Sequence, residues 1–389
     1  MSTRKDELST FDGLDLRALD RVAGTNEIRD FASRHATELR ACERDARFPR
    51  EIYADMGRRG WVGTIVSSAD GGLGGGPPEY CFVQEQSARY GLVSPQVSIQ
   101  GERWLLEWGS PAQRDRYLRG MASGRLIFCE SISEPDAGSS FREMKASARR
   151  ADGGWILNGT KIHVNLGADA DVTAFYAVAD EGLTSFLVDM RALGVSTQRT
   201  DPIGLRLLPT AEVRFDGVRV TDAELLGPPG RGLDTFLSVF NLSRLGNASE
   251  LIGLSRRALT LALDYAKARR IGQNVVTDFQ GIQWAYADCF AEVYAAALAR
   301  NRAAMAASRG DANVGLLTSI AKKLCVDAAE RVAREMFALV GGHGLYNETD
   351  FPSVLHDIKV LRVAGGSLEV LRNYIAKVLL RSDDYLGLR

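Results

Sequence analysis

Reactive side chains are sparse in this chain. The five cysteines, Cys42, Cys81, Cys129, Cys289 and Cys325, are odd in number and widely spaced, with no C-x-x-C pair. Such spacing offers neither a disulfide framework nor a zinc ligand set, and their expected role is that of small buried hydrophobes. The four histidines, His35, His163, His343 and His356, are equally scattered and form no H-E-x-x-H, so no metal site is expected. Two glycine-rich stretches remain. Gly71–Gly72–Leu73–Gly74–Gly75–Gly76 lacks the G-K-[S/T] of a phosphate loop and has no strand-then-helix context, so it reads as a flexible connection between helices. Gly341–Gly342–His343–Gly344 follows a helical pattern ending near Val340. It is either a helix C-cap, where glycine relieves left-handed strain, or a turn whose N–H groups face an anionic cofactor.

The elements that must position any site are legible from periodicity. From about Asp15 to Met121 the pattern is helical. Ile28, Phe31, Ala32 and His35 share one face of Thr25–Cys42, Pro49 precedes a helix over Glu51–Gly60, and Gln113–Met121 is a third. Between about Leu126 and Gly232 the period changes. Trp155–Leu157, Thr173–Val178, Ser185–Val188 and Ala211–Phe215 are short β-rich runs, punctuated by Asp152–Gly153–Gly154, Gly159 and Asp216–Gly217. Without helices between them, these runs predict an antiparallel sheet or small barrel, not a dinucleotide-binding α/β unit. From about Leu233 the chain is helical again, with Ser255–Arg270, Gln280–Ser308, Val314–Val340 and Ser367–Arg381 suited to a four-helix bundle.

The expected fold class is therefore mainly α with a central β-domain: an N-terminal helical domain over residues 1–125, a β-domain over 126–232 and a helical bundle over 233–389. Such a division suits a chain too long for one core. A net charge of −1 lacks the basic surplus that nucleic acid or an anionic membrane requires. The polar start MSTRKDELST has no apolar signal core, and no run of about 18 apolar residues occurs, so a cytoplasmic location is expected.

A set of motifs in fixed order adds a resemblance. Glu130–Ser131–Ile132–Ser133–Glu134–Pro135–Asp136–Ala137–Gly138–Ser139–Ser140 resembles the T-E-P-x-A-G-S-D signature of the acyl-CoA dehydrogenases. Leu157–Asn158–Gly159–Thr160–Lys161, Ala211–Val220, Leu226–Gly227 with Gly230–Arg231–Gly232, Asp278–Phe279–Gln280, Gly341–Gly344 and Gly365–Arg372 are similar to that family's later motifs, in order. The resemblance implies FAD as cofactor, an acyl thioester on CoA or a carrier protein as substrate, and a homodimer or homotetramer sharing FAD across its interface. It also implies particular contacts. Ile132 and Ser133 would face the flavin edge, which needs hydrogen bonds as negative charge arrives with hydride. Ser139 would lie by the thioester or its carrier, and Gly138 is a cofactor position of the same motif. His163–Val164–Asn165 stands at the strand that covers the flavin, with His163 where the family has tryptophan. His163 is either a flavin contact or an ordinary strand residue, while Asn165 keeps a donor. Arg269 or Arg270 would replace the usual pyrophosphate arginine, whose own position is Ala268. Gln280, Gly341, Gly342, Ser367 and Glu369 match the remaining cofactor positions, whereas the glutamine usual before the glycine pair is Ala338.

The departure lies at the base. Removing a Cα proton while hydride leaves Cβ calls for a positioned carboxylate, worth about two to four orders of magnitude. By the resemblance, that residue would stand at Gly365 or, in a subset, at Ser243. Glu102, in a helix that lines the family's acyl pocket, is the candidate replacement, or else a surface partner of Arg103. Arg244, beside the vacant position, would hold a carboxylate or phosphate of the substrate, or bridge helices. Three outcomes follow: a relocated base, oxidation at a carbon–heteroatom bond, or a flavin monooxygenase or oxidase on the same fold. A flavin-binding relative without activity is a further alternative.

Overall fold

The computed structural model describes residues 24–140 and 143–381. The start of the helical third, expected from about Asp15, lies outside the described residues before Gly24. The chain gathers into two compact units. One comprises Arg34–Gly76 and Val93–Leu242. The other comprises the described part of Met1–Ser33 with Pro77–Leu92 and Ser243–Arg389.

Helices α1 (Thr25–Arg44), α2 (Arg50–Arg58), α3 (Pro77–Tyr90), α4 (Gln96–Trp108) and α5 (Pro111–Ala122) precede the sheet. Local chemistry sets α5: the Ser110 hydroxyl accepts from Gln113 N, the Gln113 side chain accepts from Ser110 N, and Pro111 occupies the first turn. Within the helical N-terminal third, periodicity sets no separate boundaries for α3 and α4. From Pro78 to Ala88 every residue of α3 is buried, so its composition carries no amphipathic stripe to read.

The strands are β1 (Phe128–Ser131), β2 (Ser147–Ala151), β3 (Gly154–Asn165), β4 (Val172–Ala179), β5 (Gly182–Asp189), β6 (Val195–Arg199) and β7 (Thr210–Val220). They form one sheet in the order β1-β4-β2-β3-β7-β6, with β5 added to β4. The sheet is mixed, not wholly antiparallel as expected. β1 and β4 pair in parallel, because the chain reaches β4 only after the excursion through β2 and β3. Gly154, at φ +157° in the β2–β3 turn, has no substitute, since a Cβ there would come within 2.1 Å of Val220 O. Trp104, Phe128, Trp155, Phe175, Tyr176 and Phe186 fill the core of this unit.

The helical unit contains most of α6 (Gly232–Ala268), a small hairpin of β8 (Arg270–Ile271) and β9 (Asn274–Val275), and α7 (Gln280–Arg309), α8 (Val314–Val340), α9 (Phe351–Val363) and α10 (Leu368–Leu380). The buried stripe of α8 runs Thr318, Ala321, Lys322, Cys325, Ala329, Val332, Met336 and Val340, the 3.6-residue period of a packed helix. Cys81, Leu245, Ala303, Ala304 and Ala321 form a core of small side chains. Arg300, fully buried, donates to Glu85 Oε2 at 2.7 Å and to Ser249 Oγ at 2.8 Å, and Arg256 meets Glu85 Oε1 at 3.2 Å, so two guanidiniums share one buried carboxylate.

Candidate active site

In the sheet unit, Ile132 and Ser133 leave the end of β1 under tight restraint. Lys161 on β3 donates Nζ to Ile132 O at 3.0 Å and to Glu134 Oε1 at 2.9 Å. The Glu134 carboxylate also accepts from Lys145 N at 2.6 Å and Ala146 N at 3.0 Å, while Ile162 N donates to Ser133 O at 2.9 Å. Burial pulls the Lys161 ammonium down to about 8 against the pull of Glu134. Both carbonyls are thus committed, and the half-buried Ser133 hydroxyl bonds to no other described residue.

The same bond brings His163 close in sequence to Ser133's partner. His163 is exposed and sits at φ +56°, where the β3–β7 register shifts between Lys161 and Val164. A bulge re-aims a side chain, and holding a non-glycine residue left-handed costs about 1–3 kcal/mol, a strain characteristic of functional sites. Asn165, half-buried, closes β3 opposite Thr210. Gly138 and Ser139 lie in an exposed bend, and a Cβ on Gly138 would meet nothing within 4 Å.

Glu102 on α4 is fully buried, and neither carboxyl oxygen has a hydrogen-bond partner among the described residues. Burial pushes its pKa well above the usual carboxylate range. One turn earlier, Ser98 Oγ accepts from the Tyr53 hydroxyl at 2.8 Å. The alternative surface pair with Arg103 fails, because Arg103 pairs with Glu107 one turn on. Burial thus works against the charged form of Glu102.

In the helical unit Gly365 and Ser243, the two positions at which the resemblance expects a base, lie side by side. Gly365 has φ +65°, and a Cβ built on it would stand 3.2 Å from Ser243 Oγ and 2.1 Å from Asn247 Nδ2. Asn247 donates to Ala364 O at 3.3 Å, and Lys322 on α8 donates to Ala364 O and, at 2.9 Å, to Gly366 O. Burial, and then the neighbouring Arg244, depress the Lys322 ammonium to about 7. Arg244 is itself buried, with its guanidinium carbon 5.2 Å from the Tyr374 ring centre, and burial draws it down to about 10. Sequence reasoning missed Asn247 and Lys322. A lysine in the buried stripe of α8 was the signal that would have found the second.

The remaining expected cofactor residues also belong to this unit. Arg269 N donates to Tyr265 O, and the Tyr265 ring stacks on His343 at 4.9 Å, which sets the 341–344 turn beside the end of α6. Arg270 donates to Gln273 O at 2.8 Å, closing the hairpin, and Arg269 and Arg270 are both exposed. Gln280 opens α7 and is exposed. Gly341 and Gly342 offer open space to a Cβ, Ser367 caps α10 through Val370 N, and Glu369 bonds to Arg362 at 3.2 Å. Within the sheet unit an uncommitted hydroxyl at 133 and a re-aimed ring at 163 suit a flavin edge; within the helical unit the open 341–344 glycine turn suits an anionic group.

Comparison with known proteins agrees on one family. The acyl-CoA dehydrogenase N-terminal, middle and C-terminal domain models match residues 22–125, 129–218 and 230–380. An acyl-CoA dehydrogenase of Bacillus subtilis is 30% identical over 365 residues, covering 91% of this chain and 96% of that protein. The short-chain specific acyl-CoA dehydrogenase of Sus scrofa mitochondria is 28% identical over 366 residues, covering 91% and 88%. The structure of a glutaryl-CoA dehydrogenase from Mycobacterium smegmatis in complex with FADH2 superposes with TM-score 0.89 at 25% identity, covering 97% of this chain and 98% of that one.

Proposed function

We take as premise that the chain belongs to the acyl-CoA dehydrogenase family and is an FAD flavoenzyme, and we propose that it oxidises a small acyl thioester without the family's customary carboxylate. When bound, the flavin supplies a two-electron acceptor for hydride. Ser133, held by the Lys161–Glu134 brace, would hydrogen-bond the flavin edge with the Ile132 segment, and His163 and Asn165 would cover it. Arg269, Gln280, Gly341, Gly342, Ser367 and Glu369 would hold the remainder, in part for a neighbouring subunit, so a homodimer or homotetramer belongs to the proposal.

The observation that carries this reading is the juxtaposition of Gly365, Ser243 and Asn247. Neither vacated position holds an acid, and the Asn247 amide, a hydrogen-bond donor, stands where a glutamate side chain would begin. A site with donors there favours substrates whose oxidation differs from that of a simple saturated acyl-CoA, such as a 2-hydroxy or 2-amino acyl group. We place these on a carrier protein in preference to CoA.

The test is anaerobic mixing of the FAD-loaded protein with matched acyl groups on CoA and on carrier protein, followed by the flavin absorbance. Bleaching by carrier-bound 2-substituted acyl groups, with little by butyryl-CoA, is the expected result. Bleaching by butyryl-CoA at a rate equal to or above that with any carrier-bound acyl group would overturn the substrate preference, and absence of bound FAD would overturn the reading as a whole.

A further inference from the structure

Helix α7 has two unlike faces. Cys289, Val293, Ala296 and Arg300 turn inward and are buried. The opposite face lies in solvent, yet it is not polar. Trp284, Ala287, Ala291, Ala295 and Leu298 all stand on it, with Trp284 60% and Leu298 42% exposed. At about 100° per residue these five fall within about 40° of the direction of Ala291, in a single row about 21 Å long. A helix that faces water ordinarily turns its charges outward, so an outward apolar row marks a contact surface. Phe290, also exposed, stacks on Tyr294 at 6.5 Å along one edge of the row, and Phe279, immediately before α7, is exposed too.

The spacing of the row decides what covers it. Counted from Trp284 the steps are three, four, four and three, and counted back from Leu298 they are the same. A row that reads alike from both ends matches a copy of itself laid antiparallel, which is what two-fold symmetry asks of an isologous contact. With Ala291 at the centre, Trp284 lies against Leu298 of the second copy, and Ala287 lies against Ala295. The large side chains fill the outer layers, while the three alanines let the helix axes approach to about 8 Å at the middle. Charge agrees with this pairing. Near a two-fold axis each group faces its own image, so a charge there repels itself, and the five residues of the row carry none. The nearest acids on α7, Asp288 and Glu292, stand to one side, and both are held by Arg331 of α8, the first at 3.0 Å. One turn beyond each end, the cationic Arg302 comes opposite the neutral Gln280.

We propose that this face of α7 is the surface through which two copies of the chain join, as an antiparallel α7–α7 pair with Ala291 on the two-fold axis. This contact rests on the homo-oligomer of the proposed function and gives it a location. A stable dimer buries about 800 Å² on each partner, more than one helix pair supplies, and the exposed Phe279 and Phe290 add apolar surface to the row. The pairing also bears on the cofactor. Gln280 is a position assigned to FAD, and Arg302 of the second copy is set opposite it, so the end of α7 gains a cation that its own chain does not place there.

The experiment uses the whole chain, loaded with FAD, in analytical ultracentrifugation and in cysteine cross-linking. Wild type should sediment at twice the mass of one chain or a multiple of that. Ala291→Glu sets two carboxylates at the axis and should halve the mass. Its helix content by circular dichroism should not change, because the position is exposed and glutamate favours helix. Cross-linking fixes the register against a quiet background, since all five native cysteines are buried. Under mild oxidation Ala291→Cys should form a disulfide with its own copy. Trp284→Cys and Leu298→Cys should each fail alone, and the two together in one chain should give covalent dimers. Should Ala291→Glu unfold, the cross-linking decides. A mass unchanged by Ala291→Glu, no disulfide from Ala291→Cys, or ready cross-linking of Trp284→Cys alone overturns the α7 contact while leaving the homo-oligomer. A monomeric wild type overturns both. FAD content, measured on the same samples, reports separately on the flavoenzyme reading.

Discussion

Gly365 and Ser243, distant in sequence, are neighbours in the fold: a Cβ on Gly365 would lie 3.2 Å from the Ser243 hydroxyl. The two positions at which the resemblance expects a base are thus adjacent, and they hold a glycine and a serine. The space was not left open, because Asn247 Nδ2 would be only 2.1 Å from that Cβ.

Restoring a carboxylate at 365 therefore takes two changes. Gly365→Glu alone must adopt φ near +65° and displace Asn247, at a cost of about 1–3 kcal/mol. We expect the single variant to lose stability and to leave butyryl-CoA turnover within a few-fold of wild type. With Asn247→Ala added, turnover should rise about 10- to 100-fold, within the range that a positioned base supplies. Steady-state kinetics with denaturant unfolding checks both, and a single variant as active as the double would show that Asn247 is no obstacle.

The brace under Ser133 gives a second expectation. Lys161 is fully buried with Glu134, and removing one member of a buried pair strands the other at about 3–5 kcal/mol. Lys161→Met should cost that much stability. It should also weaken FAD binding, because Ile132 O and Ser133 lose their restraint. Lys161→Met with Glu134→Leu should recover stability but not FAD affinity, since Lys145 N and Ala146 N then lose their acceptor. Unfolding curves and FAD titration read the two effects separately.

Glu102 should register in the pH dependence of stability. Its folded pKa is raised by burial, so between about 4.5 and that raised value the unfolded chain has released a proton that the folded chain retains. Stability from this group falls as pH rises above about 4.5 and is unaffected below it. Glu102→Met should then gain on wild type between pH 4 and pH 8, on top of a pH-independent gain of about 1–3 kcal/mol from removing an unsatisfied carboxyl. Urea unfolding at the two pH values is the check, and a constant difference between the proteins would contradict the assignment.

What the sequence disclosed and what it hid have separate physical causes. The motif from Glu130 to Ser140 and the glycine turns are local chemistry, and they placed Ser133, His163 and Gly341 in chain order. The parallel pairing of β1 with β4 was hidden because it joins residues some forty positions apart through an excursion that local periodicity does not record. Glu130 belongs to a motif, and only the strand alternation with Phe128 and the pairing with Ala174 show which face of the sheet it shares. The Asn247–Gly365 approach depends on how two separate elements pack, and no spacing rule reaches that far.

Lys322 provides the last expectation. Its Nζ holds the carbonyls of Ala364 and Gly366, on either side of Gly365, and burial depresses its folded pKa to about 7 from 10.5. Between those values the unfolded chain binds a proton that the folded chain lacks, so stability from this group rises with pH. The burial penalty is fully present below about 7 and is relieved as pH climbs toward 10.5, at about 1.4 kcal/mol per unit. The difference in unfolding free energy between wild type and Lys322→Met should therefore shift in favour of wild type by roughly 2–3 kcal/mol between pH 7 and pH 9. Comparing the two proteins at each pH cancels the opposite trend from Glu102, which both contain. Loss of the clamp should also speed amide exchange at Gly365, Gly366 and Ser367 at every pH, because Asn247 alone still holds Ala364 O. A pH-independent difference in stability would mean that Lys322 stays charged in the folded protein, and unchanged amide exchange would mean that the turn is held by something other than its two bonds.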